Sequence, residues 1–161
     1  MAFEVKAPTA VPSTISKMRG MVHIFTAGSI EMGKAEPWQE RLVNHFSDKD
    51  DIIFLNPRRD DWDSSWVQDP TPGTQFHTQV SWELDHIDVS GLIVFYFDPK
   101  TQSPITLLEL RLCLGKGKNI VVCCPDGYFR KGNVVIACAK YGIDVLNTIE
   151  EMFDAIKTEL H

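Results

Sequence analysis

The sequence has no long apolar run, no block of basic residues and no metal-type cysteine spacing. No apolar segment approaches the ~20 residues of a membrane-spanning helix, so we expect no membrane partner. The net charge is −6 and Lys and Arg are scattered, which argues against nucleic acid as a partner. The cysteines, Cys113, Cys123, Cys124 and Cys138, form no CxxC pair and no Cys/His zinc pattern. We therefore expect buried free thiols in a cytoplasmic protein, with no metal and no cofactor.

The N-terminal 20 residues also lack the apolar core of a signal peptide, because prolines and charges interrupt them. We interpret residues 1–20 as a flexible extension. Residues 21–161 have the length and the apolar content of one globular domain. The sequence therefore predicts one folded domain that follows a flexible N-terminal extension.

Apolar runs rich in β-branched and aromatic residues alternate with amphipathic segments throughout this domain. The runs predict strands at 21–26, 51–55, 92–97, 118–124 and 143–146, and the segments between them predict helices. This alternation is typical of an α/β fold, here a flavodoxin- or Rossmann-like three-layer architecture. We expect a five-stranded parallel sheet in the order 2-1-3-4-5, which binds ligands at the carboxyl ends of its first and third strands.

Three loops follow strand ends on the predicted ligand-binding edge. The first is a glycine-bounded turn containing Gly28, Ser29 and Ile30, where a ligand can approach the backbone closely. An ordinary strand-to-helix connection explains these glycines equally well. The second loop starts at Asn56, and the third starts at Asp98 and leads into a helix.

A carboxylate, Glu109, stands in the middle of that last helix, which is otherwise apolar. Ser103 and Pro104 suit the N-cap and the first turn, and Ile105, Leu108 and Leu112 fall on one helical face. Burying an unpaired carboxylate is costly, so Glu109 is either functional or a solvated side chain paired with Arg111 or Lys116. Asp88, just before the central strand, reads on its own as a turn or capping residue.

Four segments together resemble the nucleoside 2-deoxyribosyltransferase superfamily. They are AGSIEMG (27–33), LNPRRDDWD (55–63), SWELDHIDVSGLIVFYF (81–97) and SPITLLELRLCLGKGK (103–118). The ordered set is most similar to the deoxyribosyltransferase-like branch, and the related nucleotide N-glycosidases share the GSI turn. The resemblance implies an enzyme that cleaves the N-glycosidic bond of a nucleoside or nucleotide and passes the sugar to another base or to water.

The resemblance also implies roles for individual residues. Glu109 matches the nucleophilic glutamate, and Asp88 matches the aspartate that assists the leaving base. Asn133 lies where relatives offer a residue across a dimer interface, so a homodimer or larger homo-oligomer is implied. The chemistry is coherent, because one carboxylate can hold a covalent glycosyl intermediate while a second acid protonates the departing group.

The remaining site residues follow from their places in the loops. We expect Asn56 and Arg58 to form the pocket floor, with Asp98 at the edge of the pocket. Trp62 and Trp66 either cover the base or anchor a long loop by hydrophobic contact.

Ser103 bears on the 5′ end of the sugar. In the resembling transferases an aspartate, suited to a 5′-hydroxyl, is typical at this position, whereas the monophosphate N-glycosidases typically have serine. A serine at a helix start adds no negative charge, which predicts a modest preference for 5′-monophosphates. A plain N-cap explains Ser103 as well. Three functions stay open: a deoxyribosyl transferase, a 5′-monophosphate hydrolase, and a nucleotide-binding module without turnover.

Overall fold

Parallel strands form one twisted sheet in the computed structural model, which describes residues 1–16, 20–31, 34–61 and 65–161. The strands are β1 (Phe3–Lys6), β2 (Val22–Gly28), β3 (Ile52–Asn56), β4 (Leu92–Tyr96), β5 (Ile120–Cys123) and β6 (Val145–Leu146). The helices are α1 (Ser13–Ser16), α2 (Trp38–His45), α3 (Gln75–Val89), α4 (Pro104–Lys116), α5 (Lys131–Lys140) and α6 (Ile149–Glu159). The α/β class with a parallel sheet is thus the observed one.

The prediction of five strands in the order 2-1-3-4-5 is wrong. The described sheet has six strands in the order β1-β3-β2-β4-β5-β6. The additional strand lies in residues 1–20, which we expected to be a flexible extension. There Phe3 pairs with Ile53 and Val5 pairs with Leu55, in parallel register. A strand of only four residues is too short for its alternation to stand out from the sequence.

The helices cover both faces of the sheet, because alternate strand residues point to opposite sides. One apolar cluster joins strand residues such as Phe25 and Phe95 to α3, α4 and α5. The other joins residues such as Ile24 and Val94 to α2 and α6. All four cysteines are buried and free. None of the helices in the described part of the chain combines the length and the apolar character needed to cross a membrane.

The switch point of the sheet lies between β2 and β4. β2 pairs with β3 on one side and with β4 on the other, so the connections leaving β2 and β4 diverge to opposite faces. The loop after β2 and the loop that leads from β4 into α4 therefore meet at one edge. This edge is where the candidate site lies.

Candidate active site

The glycine turn after β2 packs directly on the end of β4. A Cβ added to Gly28 would lie 2.6 Å from the Tyr96 carbonyl oxygen and 2.7 Å from a ring carbon of Trp38. Only glycine allows this approach. The next residue continues the contact, since the Ser29 N–H donates to the Tyr96 carbonyl at 2.9 Å. Ile30 follows, half-buried. The turn is thus fixed against the strand that leads to α4.

Three buried hydroxyl groups connect this turn to the start of α4. The Ser29 and Ser103 oxygens lie 2.6 Å apart, and the Thr101 hydroxyl lies 2.7 Å from Ser29 and 2.8 Å from Ser103. The Asp98 N–H donates to the Ser29 oxygen at 2.9 Å. Ser103 is the N-cap residue of α4, but its hydroxyl makes no capping bond. Its hydrogen-bonding capacity is directed to the other two hydroxyls instead.

A carboxylate occupies two backbone N–H donors at the start of α4. One Glu31 oxygen accepts from the Gln102 N–H at 2.6 Å and from the Ser103 N–H at 2.5 Å. Two of the three residues in this contact have a positive φ, 31° at Glu31 and 47° at Ser103. Helix starts attract anions through such N–H groups and through the helix dipole. In this protein the anion is supplied by the chain itself.

Glu109 lies inside the protein, on the buried side of α4, with 8% of its surface exposed. Burial, and then the nearby negative charge of Glu83, raise the pKa of Glu109 to about 8. Thr106, Leu110, Cys113 and Leu114 share its side of the helix. A carboxylate held this way is a strong candidate for a functional role, because isolated charges are rarely buried without one.

Glu83 is the carboxylate that the structure brings to Glu109. It is half-buried on α3, and burial raises its pKa, opposed by a hydrogen bond from Gln79. The Gln79 amide nitrogen donates to Glu83 at 2.7 Å and to the Pro57 carbonyl at 3.0 Å. Two interacting carboxyl groups with raised pKa values can divide acid and nucleophile roles, since ionising one disfavours ionising the other.

Asp88, which we expected to meet Glu109, lies elsewhere. Its carboxylate is exposed and is 2.6 Å from the ammonium group of Lys116, at the last residue of α4. Lys116 is about 10 Å along the helix from Glu109, at 1.5 Å per residue. The pKa of Asp88 is lowered by its bond to Lys116. Asp88 therefore stays at the amino-end edge of the sheet, where α3 passes into β4.

Of the other predicted pocket residues, Asn56 and Asp98 form hydrogen bonds to neighbouring segments of the chain. The Asn56 amide donates to Glu4 of β1 at 2.8 Å and its oxygen accepts from the Arg58 N–H at 3.0 Å, so Asn56 supports the loop. Both Asp98 carboxylate oxygens accept backbone N–H groups, from Glu36 at 2.9 Å and Lys100 at 2.8 Å. Trp62 lies outside the described residues.

Asn133 does not contact this cluster within one chain. It is exposed on α5 and lines a cavity of about 220 Å³ between α4 and α5, together with Arg111, Leu107 and Leu110. Glu109 is not among the lining residues. A role for Asn133 at the site stays a prediction that depends on a second chain. In the described part of the chain no group of three or more His, Cys, Asp or Glu residues can hold a metal ion.

Sequence reasoning missed Glu83, Gln79 and Glu31. The apolar spacing in the sequence predicts an inner stripe of Val80, Leu84 and Ile87 on α3. The buried residues of α3 are instead Gln79, Trp82 and Ile87. Trp82 was the available signal, because a large aromatic fixes the inward face of a helix more firmly than Val or Leu. Glu31 gave no signal of its own, since its partners lie more than 70 residues away.

The fold is similar to that of a solved structure, and the sequence matches a model of a protein family. A structure described as "Crystal structure of conserved protein from Enterococcus faecalis V583" matches with a TM-score of 0.58, at 15% identity, over 86% of this chain and 99% of that chain. This similarity shows the fold alone. No curated protein matches the sequence. A family model described as "Nucleoside 2-deoxyribosyltransferase like" matches residues 21–128, a range that contains Ser29, Glu83 and Glu109.

Proposed function

Because the chain belongs to the nucleoside 2-deoxyribosyltransferase-like family, we propose that it cleaves the N-glycosidic bond of a deoxynucleoside with Glu109 as the nucleophile. The family match confirms the resemblance inferred from the four sequence segments. The observation that supports the mechanism is the buried Glu109, whose pKa is raised by burial and by Glu83. Ser29 and Ser103 close the edge of the site where β2 and α4 meet.

The proposed first step is attack of the Glu109 carboxylate on C1′ of the sugar. The C1′–O bond forms, the C1′–N bond breaks, and its electron pair goes to the base nitrogen, which takes a proton from Glu83. A glycosyl ester on Glu109 results. This division of roles needs the form of the singly charged pair in which Glu109 is ionised and Glu83 is protonated. It is the minor form, because burial and the charge of Glu83 raise the pKa of Glu109.

The second step releases the sugar. An acceptor base or a water molecule attacks C1′, its proton passes to Glu83, and the Glu109 carboxylate is regenerated. Transfer to a base and hydrolysis differ only in the acceptor. The two outcomes are separated by measuring free-base release with and without an added acceptor base.

The decisive test is Glu109→Ala together with Glu109→Gln. Both should lower base release by roughly 10³-fold or more, because the nucleophile is removed, while circular dichroism shows a folded protein. A 2-fluorinated deoxynucleoside should leave a sugar adduct on Glu109 of the wild type, seen by intact mass and peptide mapping. Near-normal turnover in a folded variant would refute the assignment.

The second candidate function is hydrolysis of deoxynucleoside 5′-monophosphates. Ser103 favours it, since this residue adds no charge near the 5′ end. The Glu31 carboxylate opposes it, because it occupies the Gln102 and Ser103 N–H groups and repels a phosphate by like charge. We therefore favour free nucleosides. If a nucleotide binds and no base is released with any acceptor, the chain is a binding module instead.

A further inference from the structure

Two buried polar atoms near the carboxylate pair have no hydrogen-bond partner among the residues that the structure describes. They are the amide oxygen of Gln79 and one terminal guanidinium nitrogen, Nη1, of Arg58. Gln79 as a whole is 3% exposed. Buried polar side chains nearly always find a partner, so an unpaired one calls for a functional explanation.

The orientation of the Gln79 amide is determined by its neighbours. Its nitrogen donates to the Pro57 carbonyl, which can only accept, and to the Glu83 carboxylate. A rotated amide would turn its oxygen toward the Pro57 oxygen and lose that bond. The Gln79 oxygen therefore points away from both partners as an unused acceptor.

Arg58 supplies an unused donor from the loop that Gln79 contacts. It follows Pro57 directly in the chain, so one hydrogen bond and one peptide unit connect it to Gln79. Gln79 in turn contacts Glu83, whose charge acts on Glu109. The unpaired acceptor thus belongs to a side chain that bonds to the carboxylate partner of the proposed nucleophile, and the unpaired donor belongs to the loop residue after Pro57.

Another buried amide, Gln39, is also unpaired, but it belongs to a different part of the molecule. It lies on α2, whose Trp38 and Leu42 pack on the face opposite α3 and α4. Gln39 is therefore not grouped with Gln79 and Arg58.

We infer that Gln79 and Arg58 read the polar edge of the nucleobase and select bases with an exocyclic amino group, namely adenine or cytosine. This inference rests on the proposed function. In adenine and cytosine an amino donor lies beside an unprotonated ring nitrogen. The Gln79 oxygen accepts from the amino group, and Arg58 Nη1 donates to the ring nitrogen.

The oxo bases present the reverse pattern. In hypoxanthine and uracil a carbonyl oxygen replaces the amino group, and the neighbouring ring nitrogen carries a proton. Acceptor then faces acceptor at Gln79, and donor faces donor at Arg58. Sites built to bond a substrate N–H discriminate strongly against analogues that lack it, because their own polar groups are left unpaired.

The experiment compares kcat/KM for deoxyadenosine and deoxyinosine, and for deoxycytidine and deoxyuridine. Within at least one pair the wild type should favour the amino substrate by about tenfold or more. Gln79→Met and Arg58→Met should each bring that ratio close to one, mainly through KM of the amino substrate. Gln75→Met, an exposed residue on the same helix, is the matched control and should leave the ratio unchanged.

A binding measurement separates this inference from the proposed function. Calorimetry with free adenine and free hypoxanthine needs no turnover, and adenine should bind more tightly, in a way that Gln79→Met removes. If that difference appears without any base release, the base-reading inference stands and the proposed function fails. If turnover occurs without amino preference, or if the preference survives both Gln79→Met and Arg58→Met, the inference is overturned and the proposed function is untouched.

Discussion

Glu109 shows how one residue can oppose the stability of the fold that holds it. Its pKa is raised from an ordinary value of 4.5 to about 8 by burial and by Glu83. Between these values the folded protein holds the proton more tightly than the unfolded chain does. The free energy of unfolding therefore falls as the pH rises from about 4.5 through about 8, because the unfolded state can ionise without penalty.

Replacing Glu109 by glutamine tests this cost. A glutamine resembles the protonated acid and cannot ionise, so Glu109→Gln should raise the free energy of unfolding by about 1–2 kcal/mol at pH 8.5. At pH 5 the folded wild type is already protonated, and the gain should be much smaller. Urea unfolding at both pH values measures it. Glu40→Gln, at an exposed position on α2, is the control. If Glu109→Gln raised the free energy of unfolding equally at both pH values, the gain would not come from the ionisation of a buried Glu109.

Glu31 is the second residue whose contact carries a specific expectation. Its carboxylate bonds to the Gln102 and Ser103 N–H groups and should keep a phosphate away. Glu31→Gln should raise the kcat/KM ratio of a 5′-monophosphate over its nucleoside by about tenfold, equivalent to 1.4 kcal/mol. Glu40→Gln serves again as the control. An unchanged ratio would show that the 5′ end of the sugar does not lie near Glu31. The preference for 5′-monophosphates predicted from Ser103 would then stand unopposed.

At the scale of elements, the type of each main helix and strand followed from the sequence, whereas the inward face of two helices did not. α4 is apolar on more than one side: Ile105 and Leu108, which the spacing places on one apolar face, are 57% and 67% exposed. The buried side instead carries Thr106 and Glu109. When apolar residues surround a helix, periodicity cannot choose its face, and tertiary contacts decide.

The same limitation explains why Glu83 was not predicted as the partner of Glu109. Glu109 was recognisable as a charge inside an apolar segment, and the loops after β2 and β4 were expected at one edge because they follow neighbouring strands. Its partner was misjudged because the inward face of α3 is rotated by roughly 100°, more than a quarter turn, from the face with Leu84 to the face with Trp82. That rotation moves Glu83 toward Glu109 and leaves Asp88, five residues later, outside.

Two of the three acidic residues of α3, Glu83 and Asp88, should therefore behave differently when neutralised. Glu83→Gln should lower kcat/KM by about 10²–10⁴, the usual contribution of a general acid. It should also move the rise of kcat/KM with pH to lower pH, because a neutral neighbour lowers the pKa of Glu109. Asp88→Asn removes only an exposed ion pair to Lys116, and such pairs contribute little.

The pH profile makes this comparison specific. A merely structural role of Glu83 would lower activity without shifting the profile. If Asp88→Asn lost as much activity as Glu83→Gln, Asp88 would have to be part of the active site. That result would contradict the arrangement of α3 described above.

At the scale of the whole molecule, the described surface has an apolar band on the face that carries α3, α4 and α5. Large apolar side chains are exposed on all three helices and at Tyr141, which directly follows α5. Those on the helices are Leu84, Val89, Ile105, Leu108, Val135 and Ile136. Single exposed apolar residues are ordinary, but a band across adjacent helices is typical of an interface. Asn133 and the cavity between α4 and α5 belong to the same face. We propose that the protein forms the homo-oligomer that the family resemblance implies, and these features support that proposal.

The last prediction concerns the centre of this band. Leu108 is 67% exposed, so a lysine there would place a charge within the proposed apolar interface. Leu108→Lys should convert a dimer or larger assembly into monomers, measured by size-exclusion chromatography with light scattering over a range of concentrations. Val67→Lys, at a loop residue that is 78% exposed, should leave the assembly unchanged. If Asn133 acts across this interface, Leu108→Lys should lose activity with dilution faster than the wild type does. A wild type that is monomeric at every concentration, or a Leu108→Lys protein that keeps the assembly, would show that the band has another role.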